Sequence, residues 1–396
     1  FDVIPTAYEK TKGTLTVDHG PRSAAAVLEG LTLAVIIVVA FAANLLAMAI
    51  MVRDKRLRSN LHSALIFTLI CMDLGVVVTS MTFSIWSVYD NGHFLRNNKV
   101  MCTINGFCAT FFKFGNFLTI LMISIDRYLT IVWSVRFPPT RLRTVVFLVV
   151  CWIVPLFVAV PPAAQSLSKY EYLSDTHHCS PRWDCPYYVI MFVFLYGIVL
   201  PVMLICYVAV FRTIRRQELL MKRPPKMDNE TTVACGFGTT LVAETQFGKL
   251  EGGESTVSCL QGDTDRRGVS AKDDSSDGTL SLPLEEPPEQ EAVCKHQSKR
   301  KKRHLQLRRR RLRADKRVAL TGVLLVLTTV VCWCPYFVVH YCFNPTNPAH
   351  WEGVVSMWFG YSNSSLDPII YAFMNRRVRQ RLRSLIRRTM DRYTNR

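Results

Sequence analysis

Long apolar runs recur along the chain and are separated by polar segments. A helix that crosses a bilayer core needs about 20 mostly apolar residues, because lipid offers no partner to backbone polar groups. Seven runs reach this length, over residues 24–52, 61–89, 100–132, 144–163, 187–212, 317–343 and 351–373. One such run would fit a buried helix of a soluble protein, but seven argue against that alternative. The pattern predicts an all-α membrane protein, a seven-transmembrane helix bundle.

The basic residues fall on one side of these spans. Lys and Arg number 48 against 30 Asp and Glu, a net charge of +18. The basic clusters are residues 53–59, 135–143, 295–317 and 375–396. The positive-inside rule therefore predicts a multi-pass plasma-membrane protein with an extracellular amino terminus and a cytoplasmic carboxyl terminus. Because the clusters flank spans, the lipid bilayer and acidic cytoplasmic partners explain them better than nucleic acid does, and no nucleic-acid partner is expected.

The remaining segments differ in composition. The stretch between the fifth and sixth spans is rich in Gly, Ser, Asp, Glu and Pro, which predicts disorder. After the seventh span, Val378, Leu382, Leu385 and Ile386 recur at helical spacing among arginines, which predicts a short amphipathic eighth helix on the inner leaflet. The predicted segments are an extracellular amino-terminal segment (1–23), spans one to five (24–212), a third cytoplasmic loop (213–316), spans six and seven (317–374), and an amphipathic helix with its tail (375–396).

Four of the 13 cysteines lie at or near the predicted outer face, where disulfides form: Cys102, Cys179, Cys185 and Cys342. Four cysteines allow three pairings, and the sequence does not choose among them. Cys102 and Cys179 are our candidates for a disulfide. The cysteines inside the spans, such as Cys151, are expected to be small packed side chains.

Short motifs occupy particular places in the spans. The third span ends in "SIDRYLTIV", the sixth contains "CWCPYF" and the seventh ends in "NSSLDPIIY"; Asn44, Asp73 and Trp152 lie in the first, second and fourth spans. Each motif alone is weak. Together and in this order they closely resemble the rhodopsin-like (class A) G-protein-coupled receptors, except over the amino terminus and the third cytoplasmic loop. The resemblance implies a receptor, not an enzyme, that passes the signal of an extracellular ligand to a heterotrimeric G protein.

The resemblance also implies an activation switch at the cytoplasmic ends of the spans. In the family, the arginine matching Arg127 is held by its neighbouring acid, here Asp126, and by an acid at the foot of the sixth span, where Asp315 stands. Release of this pair would let the sixth span swing outward, a population shift between two helix arrangements. Tyr128 and Tyr371 complete the implied coupling residues.

The sixth span carries an expected hinge. Pro335 lacks an amide hydrogen and therefore kinks a helix, and Trp333 lies two residues before it. By resemblance, the kink amplifies a small inner displacement, and Trp333 forms the floor of an outer ligand pocket. The residues expected in this pocket are Ala109, Lys113, Trp333, Tyr336, Phe337, His340, Met357 and Tyr361.

Two carboxylates, Asp73 and Asp367, lie within spans, where charged groups are costly and usually functional. The resemblance implies that they bind a sodium ion, and no other cofactor is expected. The alternative is a neutral, hydrogen-bonded pair of acids. The polar groups expected around them are Asn44, Asn116, Asn363 and Ser364.

The chain departs from the family pattern in four places. Asp367 stands where Asn is commoner, and Thr329 stands where an aromatic residue is common. Pro201 and Tyr207 are closer together than usual. The fourth departure concerns the ligand, because Ala109 replaces the acid that binds amines in amine receptors.

Lys113 places an ammonium group inside the apolar stretch "TFFKFGNFL". It lies about 16 Å of helix after Cys102 and about 21 Å before Arg127, so it is near mid-membrane and faces into the bundle. A buried lysine needs a partner or loses its proton. Three interpretations compete: a salt bridge with Asp73, a contact with a ligand carboxylate or phosphate, and a neutral or snorkelling amine. Because Lys113 would repel an amine, we predict that the ligand is not a biogenic amine.

Three alternative functions are open, one of them in a different class of protein. A constitutively active receptor without a ligand would fit a pair of Lys113 and Asp73. A membrane transporter or channel would show internal repeats with interrupted helices at matching places, and none is found in the sequence. An opsin would need a lysine in the seventh span, which has none; the matching position is Tyr361.

Overall fold

A computed structural model describes residues 24–58, 61–134, 136–182, 185–222, 288–340 and 349–394. The segment 1–23, most of the third cytoplasmic loop and Cys342 lie outside these ranges, as do the side chains of Cys185 and Leu385. The chain divides into a larger unit, Phe1–Lys222 with Arg310–Arg396, and a smaller unit, Arg223–Arg309. The larger unit contains the helix bundle. The described part of the smaller unit, residues 288–309, is helical.

Seven long helices provide the spans within the described ranges. The uninterrupted ones are Ala24–Arg53, Lys99–Ile131, Arg141–Ala163, Pro288–Val339 and His350–Met374, the first, third, fourth, sixth and seventh spans. The second span joins Leu61–Gly75 and Thr82–Tyr89 through a π-helical segment, Val76–Met81, and the fifth joins Cys185–Phe192 and Leu200–Lys222 through Val193–Val199. Three shorter helices are Lys55–Arg58, His93–Asn97 and Arg376–Thr394. The predicted seven-helix bundle with an eighth helix is confirmed.

Six of these helices are long and apolar enough to cross a membrane, and the seventh span is the exception among the described helices. Its 25 residues would extend about 38 Å, which is sufficient for a crossing. Its buried face includes the polar residues Asn363, Ser364, Ser365 and Asp367, which lower its apolar content. These polar groups are turned into the bundle and away from lipid, as side chains of this kind must be.

Capping side chains mark where two of the spans begin. The Asn98 side chain accepts a hydrogen bond from the Met101 amide at 3.1 Å, at the start of the third span. The Thr140 hydroxyl accepts one from the Arg143 amide at 3.2 Å, at the start of the fourth. Each cap satisfies an amide that the first helical turn leaves unpaired. Pro335 lies inside the sixth span and removes one backbone hydrogen bond there.

A β-hairpin connects the fourth and fifth spans. Its antiparallel strands, β1 (Tyr170–Leu173) and β2 (His178–Pro181), pair Tyr170 with Pro181 and Leu173 with His178. The Cys102–Cys179 disulfide ties β2 to the start of the third span, which confirms the candidate pair. We call the end of the bundle that bears this hairpin the outer end, and the opposite one the inner end.

Asn105 fixes the hairpin more closely. Its side-chain oxygen accepts a hydrogen bond from the Cys179 amide, and its side-chain nitrogen donates one to the Thr79 carbonyl, both at 2.9 Å. The ring of Tyr170 packs over Gly106, where an added Cβ would lie 2.2 Å from it. One turn of the third span therefore holds the hairpin by a covalent bond, hydrogen bonds and a close aromatic contact.

The eighth helix packs against the inner ends of the first and seventh spans. Val378 is fully buried beside Ile50 and Tyr371, with Leu382 partly buried against the same cluster. Arg381 Nε lies 3.2 Å from Asp54 Oδ2. The predicted apolar stripe is therefore in contact with the bundle through Val378 and Leu382.

Removal of the disulfide should destabilise the fold. Cys179→Ser should lower the free energy of unfolding by about 2–5 kcal/mol, because the bond closes a long loop in the unfolded chain. The measurement is thermal unfolding of the receptor purified in detergent. Cys334→Ser is the matched control, because Cys334 is a free and exposed cysteine. Equal melting temperatures for the two variants would contradict a stabilising role of the disulfide.

Candidate functional site

An outer cavity with about 40 Å³ of water-accessible space lies among the third, fifth and sixth spans and strand β2. Aromatic side chains dominate its wall, and Lys113 contributes the only ammonium group among its described lining residues. The lining residues are Ala109, Thr110, Lys113, Phe114, Phe117, His178, Cys179, Ser180, Pro181, Leu195, Trp333, Tyr336 and Phe337. This combination of an apolar wall with few polar groups is typical of small-molecule sites.

Lys113 sits between aromatic rings and a histidine. Its ammonium nitrogen lies 5.3 Å from the ring centroid of Trp333 and 5.5 Å from that of Tyr361, within the range of cation–π attraction. The same nitrogen lies 3.3 Å from His178 Nε2. Within the described ranges, Lys113 forms no ion pair with Asp73 or with any other carboxylate. The structure therefore places Lys113 at the outer cavity and shows no salt bridge with Asp73. The ligand contact and the neutral amine both stay predictions.

His178 partners this ammonium group as a neutral ring. Its Nδ1 lies 3.2 Å from the Thr176 carbonyl, which suits an Nδ1–H donor and leaves Nε2 as an acceptor for Lys113. Burial, and then the positive charge of Lys113, hold the pKa of His178 well below its usual value. The contact with His178 therefore satisfies one hydrogen of the ammonium group without neutralising its charge.

Five of the expected pocket residues line the cavity, and three lie behind it. Ala109, Lys113, Trp333, Tyr336 and Phe337 are in the lining. The other three are engaged elsewhere: His340 pairs with Asp175 at 3.2 Å, the Tyr361 hydroxyl bonds the hydroxyls of Ser80 and Ser84 at 2.8 Å, and Met357 is buried in the apolar core.

Sequence reasoning missed the hairpin side of the cavity. Residues 178–181 supply part of the lining, and they follow from no hydrophobic period. The usable signal was Cys179, because a disulfide to Cys102 brings its neighbours to the third span. Thr110 and Phe117 were also missed, although they lie three residues before and four after Lys113, on the same helix face.

A buried polar core lies deeper in the bundle. The Asn116 amide nitrogen donates to Asp73 Oδ1 at 2.8 Å and to Asp367 Oδ2 at 3.3 Å. Asn363 donates to Asp367 Oδ2 at 3.2 Å and accepts a hydrogen bond from the Thr329 hydroxyl at 3.2 Å. Five side chains from four spans thus form one network, and Thr329 replaces aromatic packing by a polar link.

The remaining predicted members of the core fall beside it. The Asn44 amide donates to the Ser364 backbone carbonyl at 2.8 Å, which joins the first and seventh spans. Asp73 Oδ2 and Asp367 Oδ1 are buried and have no hydrogen-bond partner among the described residues. Two such carboxylate oxygens suit a hard cation, so the residues present fit the expected sodium ion.

Asp126 is the centre of charge at the inner end of the third span. It pairs with Arg127 at 3.0 Å, Arg143 at 2.8 Å and His62 at 2.5 Å, and its side chain is 5% exposed. The predicted pair of Arg127 and Asp126 is therefore present. The expected second pair, of Arg127 with Asp315, is not among the ion pairs within 4.0 Å in the described ranges, but the two charges interact electrostatically, so this pair stays a prediction.

Arg127 borders a cavity at the inner end that has about 740 Å³ of water-accessible space. Ala314 and Arg317 line the same cavity at the inner end of the sixth span, so Arg127 faces the cavity there. Tyr371 also lines the cavity, and its hydroxyl accepts a hydrogen bond from the Asn375 side chain at 2.9 Å. The Tyr128 hydroxyl accepts one from Trp133 Nε1 at 2.8 Å.

Comparison with known proteins identifies the family. The profile described as "7 transmembrane receptor (rhodopsin family)" matches residues 43–371. The chain therefore belongs to the rhodopsin family of seven-transmembrane receptors, which are plasma-membrane proteins and not enzymes. The structure of squid rhodopsin superposes with a TM-score of 0.63 at 15% identity, over 90% of this chain and 84% of that one, which shows the shared fold.

Curated relatives are similar at low identity. The octopamine receptor beta-2R of Drosophila melanogaster is 24% identical over 380 residues, 91% of this chain and 61% of that protein. The 5-hydroxytryptamine receptor 1A-beta of Takifugu rubripes is 24% identical over 318 residues, 73% of each chain. The chain thus spans about three fifths of the octopamine receptor.

Proposed function

We propose that the chain is a G-protein-coupled receptor that binds an anionic extracellular ligand and activates a heterotrimeric G protein by outward movement of the sixth span. The observation that carries the ligand class is the position of Lys113. Its ammonium group lines the outer cavity and has no carboxylate partner within the described ranges. A ligand carboxylate or phosphate would supply the missing negative charge and form a charge-assisted hydrogen bond.

The relatives are named for octopamine and 5-hydroxytryptamine, which are amines, and this chain differs from such receptors at the cavity. Ala109 lies one helical turn before Lys113 and also lines the cavity, so no acid is available at the position that resemblance assigns to amine binding. A protonated amine would meet a like charge at Lys113. The charge that Lys113 brings to the cavity is therefore opposite in sign to that of the acid in an amine site.

The inner cavity fits the proposed partner. Its described lining includes Arg127 and five other arginines: Arg310, Arg313, Arg317, Arg376 and Arg377. This charge favours an acidic partner segment, and the water-accessible space of about 740 Å³ would admit a helix end. The orientation that follows from the basic segments places this cavity in the cytoplasm.

The same proposal gives roles to the hinge and the polar core. Trp333 lies at the cavity floor within 5.7 Å of the Phe117 ring, and Pro335 lies two residues beyond it. Thr329 links the sixth span to Asn363 of the polar core. A sodium ion held by Asp73 and Asp367 would stabilise one arrangement of these spans, so that ligand and ion act on one equilibrium.

A second candidate is a receptor with high basal activity and no external ligand. The observation in its favour is His178, a residue of the chain itself that occupies one side of Lys113. In this candidate His178 of the hairpin takes the place next to Lys113 that an external ligand would otherwise occupy. A transporter or channel has no comparable support, because the chain belongs to a receptor family.

The preference of the receptor for an anionic ligand over an uncharged one should depend on Lys113. Matched pairs of carboxylic acids and their uncharged amides are screened by thermal shift on the purified receptor. Acids that bind should lose about 10- to 100-fold in affinity on Lys113→Met, because a hydrogen bond to a charged group contributes about 1.5–3 kcal/mol. Lys113→Arg, which keeps the charge, is the control.

Equal binding of an acid and its amide, or stabilisation of the wild type by amines alone, would contradict an anionic ligand. If His178→Ala changes basal cyclic-AMP or calcium output while no acid binds, the receptor with basal activity is the correct alternative.

Arg127→Ala should abolish coupling to G protein while ligand binding remains, because Arg127 lies at the inner cavity and far from Lys113 along the third span. The measurement is ligand-stimulated and basal G-protein activation in cells, which should fall to the level of untransfected cells. Arg383→Ala, at an exposed position of the eighth helix, should leave signalling intact. Full signalling by Arg127→Ala would remove the proposed mechanism.

A further inference from the structure

Three residues that are distant in sequence meet at the outer end of the bundle, away from the ligand cavity. They are Glu29 in the first span, His177 in the turn between β1 and β2, and His350 at the start of the seventh span. His177 Nε2 lies 3.1 Å from Glu29 Oε2, and His350 Nε2 lies 3.2 Å from Glu29 Oε1. One candidate ligand atom from each residue lies within 4.8 Å of the other two.

We propose that Glu29, His177 and His350 form a binding site for a zinc ion. Two imidazoles and one carboxylate are a ligand set that zinc takes in proteins, with a water in the fourth position. In a tetrahedral site with bonds of about 2.0–2.1 Å, neighbouring ligand atoms are about 3.3–3.4 Å apart. The observed separations are close to that value, 3.1 Å from His177 Nε2 to Oε2 and 3.2 Å from His350 Nε2 to Oε1. Because they involve different oxygens, the Glu29 carboxylate must turn, or bind through both oxygens, when the ion enters.

The surroundings bury two of the three ligands, Glu29 and His177, and leave the third, His350, exposed to solvent. The side chains of Glu29 and His177 are 16% and 10% exposed, whereas that of His350 is 51% exposed. The backbone of His177 is left-handed, with φ of 54°, and its ring packs 6.2 Å from that of Trp358. Trp358 in turn donates a hydrogen bond to the Thr32 hydroxyl at 3.1 Å.

A zinc ion would replace both contacts to Glu29 by bonds to one cation, with a nitrogen lone pair from each imidazole as a ligand.

The site would join the first span, the hairpin and the seventh span, and the hairpin also lines the outer cavity. His177 precedes His178, the residue in contact with Lys113, so an ion at His177 would restrain the hairpin beside the cavity. Zinc would therefore bind and stabilise the first span, the hairpin and the seventh span as one body. An influence on the ligand rests on the proposed function, whereas the metal site itself does not.

The test measures zinc directly on the full-length receptor purified in detergent and stripped with a chelator. Wild type should bind one zinc ion per chain, counted by elemental analysis after gel filtration, and its melting temperature should rise with zinc but not with magnesium or calcium. Loss of a residue that only supports a metal ligand weakens metal binding by about 10- to 100-fold. Glu29→Gln and His350→Ala each remove a ligand, so each should weaken zinc binding by more than that. His93→Ala, an exposed histidine of the same end, is the control and should bind like wild type.

Two results would overturn the proposal. Wild type that binds no zinc, or whose melting temperature responds to pH alone, would show that the cluster is an ion pair. Zinc binding of unchanged affinity in both Glu29→Gln and His350→Ala would place the metal elsewhere. Because this readout needs neither ligand nor G protein, its failure and the failure of the proposed function are distinguishable.

Discussion

Polar groups at membrane depth must find their partners inside the helix bundle, because lipid offers none. The network of Asp73, Asn116, Asp367 and Asn363 meets this constraint with hydrogen bonds among the second, third and seventh spans. Thr329 adds the sixth span through its hydroxyl. These hydrogen bonds join four spans at the centre of the bundle, so movement of one span would strain or break its bonds to the others.

Lys113 obeys the same constraint in a different way. Its amine contacts aromatic rings and the neutral Nε2 of His178. These groups attract a cation but do not cancel its charge. Under the proposed function, a positive charge next to the cavity would select an anionic ligand. Lys113 would then separate the chain from relatives that are named for amines, although the fold is shared with the family.

The hairpin links the two outer sites. One strand residue, His178, touches Lys113, and the residue before it, His177, meets Glu29 and His350. The disulfide and Asn105 fix this strand to the third span, so neighbouring side chains face different sites with little freedom to exchange roles. A cation at one site and an anion at the other would act on the same short piece of backbone.

Helical periodicity and bilayer thickness made the spans and the inward face of the third span predictable. Asn116, for example, lies on that inward face three residues after Lys113, and its side chain bridges two carboxylates. Contacts made by the hairpin were not predictable, because a four-residue strand has no long period and only Cys179 signals its location. Two of the three partners of Asp126, His62 and Arg143, were also missed, because they come from other helices and only geometry brings them together.

The location of the Lys113 side chain tests the account most directly. Lys113→Cys is made in a background where the free cysteines are replaced and the Cys102–Cys179 disulfide is kept, and a water-soluble, anionic thiol reagent is added outside. The account predicts rapid modification of Lys113→Cys and none of Val331→Cys, a matched position that is 61% exposed on the lipid side of the sixth span. Modification of position 113 only by lipid-soluble reagents, as at position 331, would contradict an inward-facing lysine in a water-accessible ligand cavity.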